Sequence, residues 1–560
     1  MIKSQLQEWL DQCFQQGVAA GHWSDLAAGR YGLEEPKRAG QGDFATNVAM
    51  VIAGQEKKAS GAKVNPRQIA EQFATLLGEN QLLLQRVEVA GPGFINFFLN
   101  ETIWATVIPV VVAADASYGL APEKNGRRAL VEFVSANPTG PLSVGHGRGA
   151  VLGDTIARLL SATGYEVERE YYYNDAGRQM RVLGQSTKAR YRELLGLAGD
   201  FPEDGYQGDY IRDIAQGLVA ENGDSLKDEE DVMLFKAAAE KAIFSDIDAT
   251  LKSMGIVFDS YYNEHDLYEQ GLIDDVVATL RAKGLVFEKE GATWFKTTEL
   301  GLEQDRVIIK STGEPTYRLP DIAYHREKFK RGYDWMVDVF GSDHIATVPD
   351  VMAGTKALGY DPEQVTVVLH QFVTLLRGGK QVKMSTRKAT FVTIDELIDE
   401  VGVDVVRFFF LMRKADSQIE FDLDLAVQEG KENPVFYVQY AHARLSSILA
   451  KAPEKGVSLP PLADVDLSLL KEELELKIMK AMASYPAMVA QAAEDLAPHR
   501  VVFFLQELAA LFHNFYHDHR VVGDDVPRQL SQARLWLAVS LRTVLAAGLR
   551  LIGVSAPEKM

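Results

Sequence analysis

Cysteine is nearly absent from this sequence: Cys13 is the one cysteine among 560 residues. A single cysteine cannot form an intrachain disulfide, and it excludes zinc sites built from several thiolates. It also fits a reducing compartment. We therefore expect neither a disulfide framework nor a metal site held by the chain.

Long hydrophobic runs are missing too. The longest mainly apolar run, Trp104 to Ala114, is interrupted by Pro109 and is well short of the ~20 residues that cross a bilayer. Residues Met1 to Asp11 are amphipathic and lack the apolar core of a signal peptide. We expect a cytoplasmic chain with no membrane association.

Positive charge is scarce, with 59 lysines and arginines against 78 acidic residues and a formal net charge of -19. Taken alone, this charge disfavours a nucleic-acid partner and indicates an acidic, solvated surface. Net charge averages the whole surface, however, and binding needs only a local basic stripe. The sequence motifs must decide whether the chain has a local surface that binds nucleic acid.

The patterning divides the chain into three parts. Residues 1–118 read as an α+β unit, with helical patterns at 2–20 and 66–78 and strands at 87–90 and 94–99. Residues 119–430 begin with a polar linker, and from residue 431 the pattern is helical, which is typical of a bundle. Helices are predicted there at 433–451, 466–493, 498–519 and 531–552.

The middle part opens with a strand, Ala129 to Ser135, then a loop and a helix from about Arg148 to Ala162. This order is typical of a parallel α/β sheet. Further strand candidates in this part are 304–310, 335–340 and 365–369. The stretch around 180–255 is helical and acidic, and we interpret it as an insertion.

The first motif is a glycine-rich helix start. Gly145, Gly147 and Gly149 surround His146 and Arg148, and glycines let the backbone approach a ligand closely. Free N–H groups and the helix dipole favour a phosphate there, and His146 adds a donor. A tight turn with a surface histidine is the alternative, but the position after a sheet strand favours a ligand.

Two further motifs involve charge. Four cations follow Gly378-Gly379 within Lys380 to Lys388, which suits pyrophosphate, although a solvated basic loop is the alternative.

Helical spacing places Tyr317, Asp321 and His325 on one face. A carboxylate beside a phenol could hold a cation there, or the residues could simply cap a helix.

Together these motifs resemble those of a class I aminoacyl-tRNA synthetase. Ser143-Val144-Gly145-His146 resembles its H-I-G-H signature, and Lys383-Met384-Ser385-Thr386-Arg387 resembles its K-M-S-K-S loop, in the right order. The string S-A-N-P-T-G-P-L from Ser135, the pattern T-Y-x-x-x-D-I-A-Y-H from Thr316 and the ending from Gly553 are similar to the arginyl-tRNA synthetase family. The resemblance extends over essentially the whole chain.

The resemblance implies ATP-dependent ligation of L-arginine to tRNA(Arg) through an arginyl-adenylate, with Mg²⁺ accompanying ATP and with arginine activation that depends on tRNA. It implies a multidomain α/β architecture. A Rossmann-like catalytic domain with a helical insertion would occupy 119–430. An N-terminal α+β domain contacting the tRNA would occupy 1–118, and an all-α anticodon-binding bundle 431–560. We expect a monomer.

The resemblance also implies roles for individual residues. The catalytic residues would be His146, Lys380, Lys383 and Lys388. ATP would be bound by Ser143, Gly145, His146, Gly147, Asp343, His344, Gln371, Met384 and Ser385. Arginine would be bound by Glu132, Ser135, Asn137, Glu264, Tyr317 and Asp321, and tRNA by Arg444, Arg500, Tyr437 and Tyr440.

Two positions depart from the class signatures. Ser143 stands where the first histidine of H-I-G-H is usual, and Thr386 stands where the second lysine of K-M-S-K-S is usual. The sequence does not decide which of the three loop lysines replaces it. Glu132 is unusual in an apolar strand and suggests a ligand contact, with an ion pair to a structural lysine or arginine as the alternative.

Other functions stay open at this point. They are another class I synthetase, a small-molecule nucleotidyltransferase of the same fold, and a non-catalytic tRNA-binding paralogue. The aromatic residues of the helix at 501–520 pose a similar choice. Most are expected in the bundle core, and any exposed ring would stack on unpaired bases. Arg444, Arg500, Arg520 and Arg528 are candidates for a cationic tRNA track.

Overall fold

The computed structural model describes residues 2–36, 38, 40–61, 64–77, 83–175, 177–382 and 392–560. Within these ranges, no helix combines the length and the apolar character needed to cross a membrane. The described chain forms an N-terminal α+β region, a central parallel-sheet region and a C-terminal helical bundle.

The N-terminal region packs helices against one antiparallel sheet with strand order β1-β2-β4-β3. Leu6, Leu10 and Phe14 of its first helix are buried against Phe73 and the other core residues of this region. The predicted strands at 87–90 and 94–99 are present as β3 and β4. The elements are α1 Ile2–Ala19, β1 Leu33–Glu34, β2 Phe44–Thr46, α2 Val48–Ser60, α3 Pro66–Leu77, β3 Leu84–Ala90, β4 Phe94–Leu99, α4 Glu101–Trp104 and α5 Val107–Ala114.

The first half of the central region contains three parallel strands and a helical insertion. Its elements are β5 Arg128–Phe133, α6 Val144–Ala162, β6 Glu166–Tyr173, α7 Gly177–Leu194, α8 Asp209–Asn222, α9 Val232–Ser253, β7 Ser260–Asn263, α10 Glu264–Glu269 and α11 Leu272–Ala282. Helices α7 to α9 lie between β6 and β7, which confirms the predicted helical insertion.

The second half completes the sheet and adds two smaller ones. Its elements are β8 Val286–Lys289, β9 Ala292–Phe295, β10 Arg306–Ile309, α12 Arg318–Lys330, β11 Trp335–Gly341, α13 Val348–Leu358, β12 Val365–His370, β13 Val373–Arg377, β14 Lys380–Gln381, α14 Ile394–Val401, α15 Val403–Leu411, β15 Ile419–Asp422 and α16 Leu423–Ala426. The main sheet has the order β12-β11-β5-β6-β7 with every neighbouring pair parallel.

The strand candidate at 304–310 is confirmed as β10, but β10 lies outside the parallel sheet. Residues Arg306–Ile309 pair antiparallel with β9 in a separate sheet of order β10-β9-β8. A short apolar run fits any sheet, so periodicity cannot tell the two apart. The sequence interpretation also missed β6, because Glu168, Arg169 and Glu170 interrupt its apolar pattern. Glu170 is nevertheless buried, since Arg331 binds it at 2.5 and 2.7 Å.

The C-terminal bundle consists of α17 Pro434–Lys451, α18 Glu473–Glu494, α19 His499–Asp518 and α20 Arg528–Leu551. It packs against both other regions. The Tyr118 hydroxyl donates to the carbonyl oxygen of Met482 at 2.8 Å, and Lys480 pairs with Asp43 at 2.5 Å. These contacts join the N-terminal region to the bundle beside the parallel sheet.

Candidate active site

A crevice is expected where the strand order of the parallel sheet reverses, between β5 and β11. One βαβ series runs outward from β5 to β7, and the other from β11 to β12. All five strands point the same way, so their carboxyl ends share one edge. Most residues predicted to bind ATP or arginine follow a strand at this edge, namely Ser135, Asn137, Ser143, His146, Glu264, Asp343, His344 and Gln371.

The start of α6, which is predicted to bind phosphate, lies at this edge of the sheet. Ser143 is the N-cap, and its Oγ accepts from the His146 N–H at 3.3 Å. The Ser143 N–H donates in return to His146 Nδ1 at 3.2 Å. This reciprocal capping stabilises the helix start, and it gives Ser143 a structural role where the class signature has histidine.

His146 is exposed to solvent, yet it lies among enough protein to disfavour its charged form. Burial lowers the pKa of His146, and nearby Asp343 opposes that shift. The ring is therefore neutral at neutral pH. Because Nδ1 accepts from Ser143, the ring proton is on Nε2, which makes this nitrogen a donor.

The three glycines of the motif have different roles. A Cβ on Gly147 would lie 2.4 Å from Ile394 Cδ1, and one on Gly149 would lie 2.8 Å from His370 Nε2. Both positions need glycine for protein packing. Gly145 is open, with Ser143 Oγ as its nearest neighbour at 3.6 Å. Of the three glycines, only Gly145 therefore leaves the open space that a close ligand approach needs, and its contact with a ligand stays a prediction.

Arg148 was not assigned a role from the sequence, and it is fully buried. Its guanidinium donates to the backbone oxygens of Gln371 at 2.6 Å, Lys414 at 2.9 Å and Ser417 at 2.8 Å. Burial lowers the pKa of Arg148 to about 10. The three hydrogen bonds of Arg148 fix the segment that follows β12 against the start of α6.

The other predicted ATP residues lie at the same edge. Asp343 and His344 are exposed in a short 3₁₀ turn directly after β11, and the His344 ring stacks on Phe340 with centroids 5.2 Å apart. Gln371 follows β12 and is half-buried. Burial and the charge of Arg148 lower the pKa of neighbouring His370 to about 4.

The predicted lysine loop is described only in part. Lys380 is exposed in β14. Lys383, Met384, Ser385 and Lys388 lie outside the described residues. On the far side of this segment, Thr393 forms a β-bridge with Ser143, so one described flank of the loop lies beside the start of α6.

A second group of predicted site residues is acidic and includes Asp321, in the first turn of α12. Within the described part of the chain, its carboxylate has no hydrogen bond or ion pair. Burial raises the pKa of Asp321 to about 7, and Glu132 and Glu264 add to the shift while His325 and Lys328 oppose it. An unpaired carboxylate in this setting is suited to a cationic ligand.

Glu264 begins α10 directly after β7 and is buried. Its carboxylate accepts from the Tyr172 hydroxyl at 3.0 Å and from the Tyr268 hydroxyl at 3.4 Å. Burial raises the pKa of Glu264. Burial raises the pKa of Tyr172, which the sequence interpretation missed, and the charges of Glu264, Asp321 and Glu132 add to that shift.

Glu132 is 2% exposed and pairs with Lys328, which also binds Asp338 at 2.7 Å. This is the ion pair that the sequence left as the alternative to a ligand contact. The other Glu132 oxygen accepts from Ser135 Oγ at 2.9 Å. Ser135 and Val134, directly after β5, have φ of 41° and 68°, which is a strained backbone conformation.

The remaining two residues that are predicted to bind arginine lie farther out. The Asn137 amide donates to Gln179 Oε1 of α7 at 2.6 Å. Tyr317 caps α12, and its side chain is 71% exposed. The face shared by Tyr317, Asp321 and His325 is therefore only partly realised, since His325 is buried under the sheet side of α12 while Tyr317 faces solvent.

In the bundle, three predicted tRNA residues lie close together. Tyr440 stacks on His513 at 5.8 Å, Tyr437 contacts the same ring at 4.5 Å, and Arg444 lies 5.1 Å above the Tyr440 ring. Tyr516 adds a second ring to Arg444 at 5.4 Å. This aromatic and cationic surface could stack on bases and bind phosphate.

Arg500 lies elsewhere and pairs with Asp495 at 2.6 Å, and Arg520 pairs with Asp525 at 3.1 Å. Of the five aromatic residues in α19, three are buried and two are exposed. The buried ones are Phe504, Phe512 and Phe515, and the exposed ones are Phe503 at 49% and Tyr516 at 39%. The core interpretation is confirmed for most of them.

Some of the residues that the sequence interpretation did not single out had a weak signal in the sequence. Lys328 is seven positions after Asp321, hence on the same helix face. Asp338 is an acid in an apolar strand, like Glu132. Only pairing between β5 and β11 shows that Asp338 and Glu132 are neighbours. Arg148 had no such signal, because its partners are backbone carbonyls distant in sequence.

Three protein families match the chain. The arginyl tRNA synthetase N terminal domain matches residues 2–99, the catalytic domain of tRNA synthetases class I (R) matches 107–414, and the DALR anticodon binding domain matches 438–560. An arginine--tRNA ligase of Desulfotalea psychrophila is 60% identical over 560 residues and covers 100% of both chains. That of Salinibacter ruber is 50% identical over 546 residues, covering 94% of this chain and 95% of the relative.

Solved structures agree with these matches. A putative arginyl-tRNA synthetase of Campylobacter jejuni has a TM-score of 0.75 at 32% identity, covering 82% of this chain and 100% of that chain. The arginyl-tRNA synthetase of Thermus thermophilus has a TM-score of 0.74 and covers 100% of both chains, and at 23% identity it supports the fold alone. The chain described here belongs to the class I arginyl-tRNA synthetases.

Proposed function

We propose that this chain joins L-arginine to tRNA(Arg) at the expense of ATP, through an arginyl-adenylate formed in the crevice between β5 and β11. The observation that carries the proposal is the Asp321 carboxylate. It is unpaired among the described residues, and it lies close enough to Glu132 and Glu264 for both to raise its pKa. A guanidinium, with five donors and a permanent charge, matches such an acidic site.

In the first step the arginine carboxylate attacks the α-phosphate of ATP, the bond to pyrophosphate breaks, and pyrophosphate leaves. No covalent intermediate with the enzyme is needed, so the protein contributes positioning and charge stabilisation. We assign the phosphates to the start of α6, with Gly145 approaching them and His146 Nε2–H donating. The loop lysines Lys380, Lys383 and Lys388 would stabilise the leaving pyrophosphate.

Mg²⁺ would enter with ATP as part of that substrate. Among the described residues, no group of three or more histidine, cysteine, aspartate or glutamate side chains could hold a metal ion. The adenosine side of ATP would be contacted by Asp343, His344 and Gln371, which follow β11 and β12, with Ser143 and Gly147 shaping the helix start. Met384 and Ser385 would complete this part of the site.

In the second step a terminal ribose hydroxyl of the tRNA attacks the adenylate carbonyl, and AMP leaves. We propose that residues 431–560 bind the anticodon loop through Tyr437, Tyr440 and Arg444, that residues 1–118 contact the tRNA body, and that residues 119–430 carry the chemistry. The contacts of Tyr118 and Lys480 between the first and last of these parts support a fixed spacing between the two tRNA surfaces. We further propose a cytoplasmic enzyme that acts as a monomer.

The deciding experiment is a charging assay with total tRNA and each amino acid in turn. Arginine alone should be attached. Charging of another amino acid would favour another class I enzyme, and no charging with retained tRNA binding would favour the non-catalytic alternative. ATP–pyrophosphate exchange with and without tRNA forms the second arm, and we expect exchange with arginine only when tRNA is present.

Sedimentation of the active enzyme would test the oligomeric state. A monomer mass together with full charging activity supports the proposal. Activity found only in a dimer fraction contradicts it.

A further inference from the structure

Two tyrosines donate hydrogen bonds to the carboxylate of Glu264, one to each oxygen. The Tyr172 hydroxyl donates to Oε2 at 3.0 Å, and the Tyr268 hydroxyl, one helical turn along α10, donates to Oε1 at 3.4 Å. The first distance is normal for such a bond and the second is long, so Tyr172 is the stronger donor. A carboxylate has about four lone-pair sites. The two phenols therefore restrict how the carboxylate can turn, and they leave lone pairs for a ligand.

The sheet order explains why Tyr172 reaches Glu264. Strand β6 lies between β5 and β7, and Tyr172 is its next-to-last residue. Glu264 directly follows β7, and Ser135 directly follows the end of β5 region at Val134. The Tyr172 N–H donates to Ser135 Oγ at 3.2 Å. One residue thus holds the segments that follow both neighbouring strands, Ser135 by its backbone and Glu264 by its hydroxyl.

The ring of Tyr172 is fixed by two other rings. It is 7% exposed, its centroid lies 4.4 Å from that of Tyr324 on α12, and it stacks on Tyr262 of β7 at 6.3 Å. Phenylalanine would keep these ring contacts, since only the hydroxyl would be lost. The hydrogen bond to Glu264 can therefore be removed without removing the packing.

Glu264 is buried among neutral donors. It is 7% exposed, and no cation of the described chain pairs with it. Burial raises the pKa of Glu264, and the hydrogen bonds from Tyr172 and Tyr268 oppose that shift. Burial and the charges of Glu264 and Asp321 raise the pKa of both phenols, so the phenols keep their protons at neutral pH. They orient the carboxylate without cancelling its charge.

We propose that Tyr172 is a positioning residue for arginine, whose hydroxyl holds the Glu264 carboxylate in the orientation that receives the guanidinium. The inference rests on the proposed function, because the ligand of Glu264 is taken to be arginine. Tyr172 acts through Glu264, and Tyr268 supports the other carboxylate oxygen. A guanidinium has five donors in a fixed plane, so its binding depends on the orientation of the acceptor as well as on its charge.

The test is the effect of Tyr172→Phe on steady-state charging at varied arginine and varied ATP. We expect the KM for arginine to rise ~10-fold or more, the size expected for a hydrogen bond to a charged group. The kcat at saturating arginine and the KM for ATP should change little, because the lost interaction serves arginine binding. A general loss of structure would alter all three constants.

Tyr262→Phe is the matched control. It removes a hydroxyl from the ring that stacks on Tyr172, but that hydroxyl does not donate to Glu264. The KM for arginine should therefore stay near the wild-type value. Tyr268→Phe should raise the KM for arginine less than Tyr172→Phe does, because the Tyr268 hydrogen bond is longer.

A double-mutant cycle shows whether Tyr172 acts through Glu264. Glu264→Gln removes the charge that the phenol orients. Adding Tyr172→Phe to Glu264→Gln should therefore raise the KM for arginine much less than it does in wild-type enzyme. An equal rise in both backgrounds would overturn the proposal, because Tyr172 would then act elsewhere. An unchanged KM in Tyr172→Phe alone would overturn it too.

Calorimetric binding of L-arginine, with tRNA present and ATP omitted, separates this inference from the proposed function. If wild-type enzyme charges arginine as well as Tyr172→Phe does, at the same KM, only the inference fails. If wild-type enzyme charges no arginine but binds it ~10-fold or more tightly than Tyr172→Phe does, the proposed function fails and the inference stands. No binding of arginine to wild-type enzyme would overturn both.

Discussion

Ser143 and His146 cap each other at the start of α6, with Ser143 Oγ 3.3 Å from the His146 nitrogen and His146 Nδ1 3.2 Å from the Ser143 nitrogen. The contact fixes the tautomer of a neutral imidazole and makes Nε2 a donor toward the crevice. Nε2 has no partner among the described residues, which leaves it available to a phosphate oxygen.

The first prediction concerns this donor. His146→Ala should lower arginine activation ~10²–10³-fold, the usual loss for one transition-state donor, while the fold persists. Single-turnover formation of arginyl-adenylate in the presence of tRNA measures it. Ser143→Ala is the matched control, since it removes the cap but not the donor. Ser143→Ala should lower stability by ~1 kcal/mol and should reduce activity much less than His146→Ala does. Near-normal activation by His146→Ala would contradict the assignment.

The second prediction concerns arginine recognition. Asp321→Asn should raise the KM for arginine far more than the KM for ATP, because removing one partner of a buried charge pair costs ~3–5 kcal/mol. Steady-state charging at varied arginine and varied ATP measures both constants. Asp343→Asn, at the opposite end of the crevice, should show the reverse preference. Equal weakening for both substrates in Asp321→Asn would mean that the arginine pocket is misplaced.

The third prediction is a pH dependence of arginine binding. Burial raises the pKa of Asp321 to about 7 in the enzyme without ligand, while the guanidinium is charged at every accessible pH. Only ionised Asp321 pairs with it, so below about pH 7 each unit of falling pH should raise the KM for arginine ~10-fold. Above that pH the KM should level off.

The same profile in Asp321→Asn serves as the control, because an amide does not titrate and this limb should vanish. A KM for arginine that is flat between about pH 5.5 and 8 in the wild type would show that Asp321 is already ionised over that range.

The fourth prediction concerns Arg148. Arg148→Lys cannot reach three carbonyls at once, so buried acceptors lose their partners at ~1–3 kcal/mol each. We expect a loss of stability of about that size or more, and a raised KM for ATP because Gln371 is no longer fixed. Denaturant unfolding and ATP kinetics measure the two effects. Arg158→Lys on the same helix, which can keep its pair with Asp154, should change both much less.

The fifth prediction resolves the contrast between a net charge of -19 and an RNA substrate. Arg444 lies between two tyrosine rings and has no ion pair among the described residues, whereas Arg500 is neutralised by Asp495. Arg444→Ala should therefore reduce the salt dependence of tRNA affinity by ~0.7–0.9 in log–log slope, the value of one phosphate contact. Arg500→Ala should change the slope much less. An unchanged slope for Arg444→Ala would place the phosphate track elsewhere.

Much of the architecture could be predicted from residue types and spacing, whereas the roles of the site residues came from the family resemblance and stay predictions. The glycine-rich helix start, the bundle helices and the two N-terminal strands are local patterns, set by backbone freedom and by apolar periodicity. The sequence interpretation missed strand β6 because its charged residues pair with residues that are distant in sequence, as Glu170 does with Arg331. Local pattern cannot anticipate a partner that is distant in sequence.

By itself, then, the sequence determined the class of the protein, the location of His146 at a helix start and the carboxylates that suit a guanidinium. Only the tertiary structure decided how those carboxylates are used. Glu132 forms an ion pair with Lys328, whereas the Asp321 carboxylate has no partner among the described residues. Glu132 lies beside Asp338 because β5 and β11 are parallel neighbours, and Lys328 of α12 contacts both carboxylates. The charge that each acid carries depends on these neighbours, and distance in space, which sequence separation does not give, sets the strength of an electrostatic interaction.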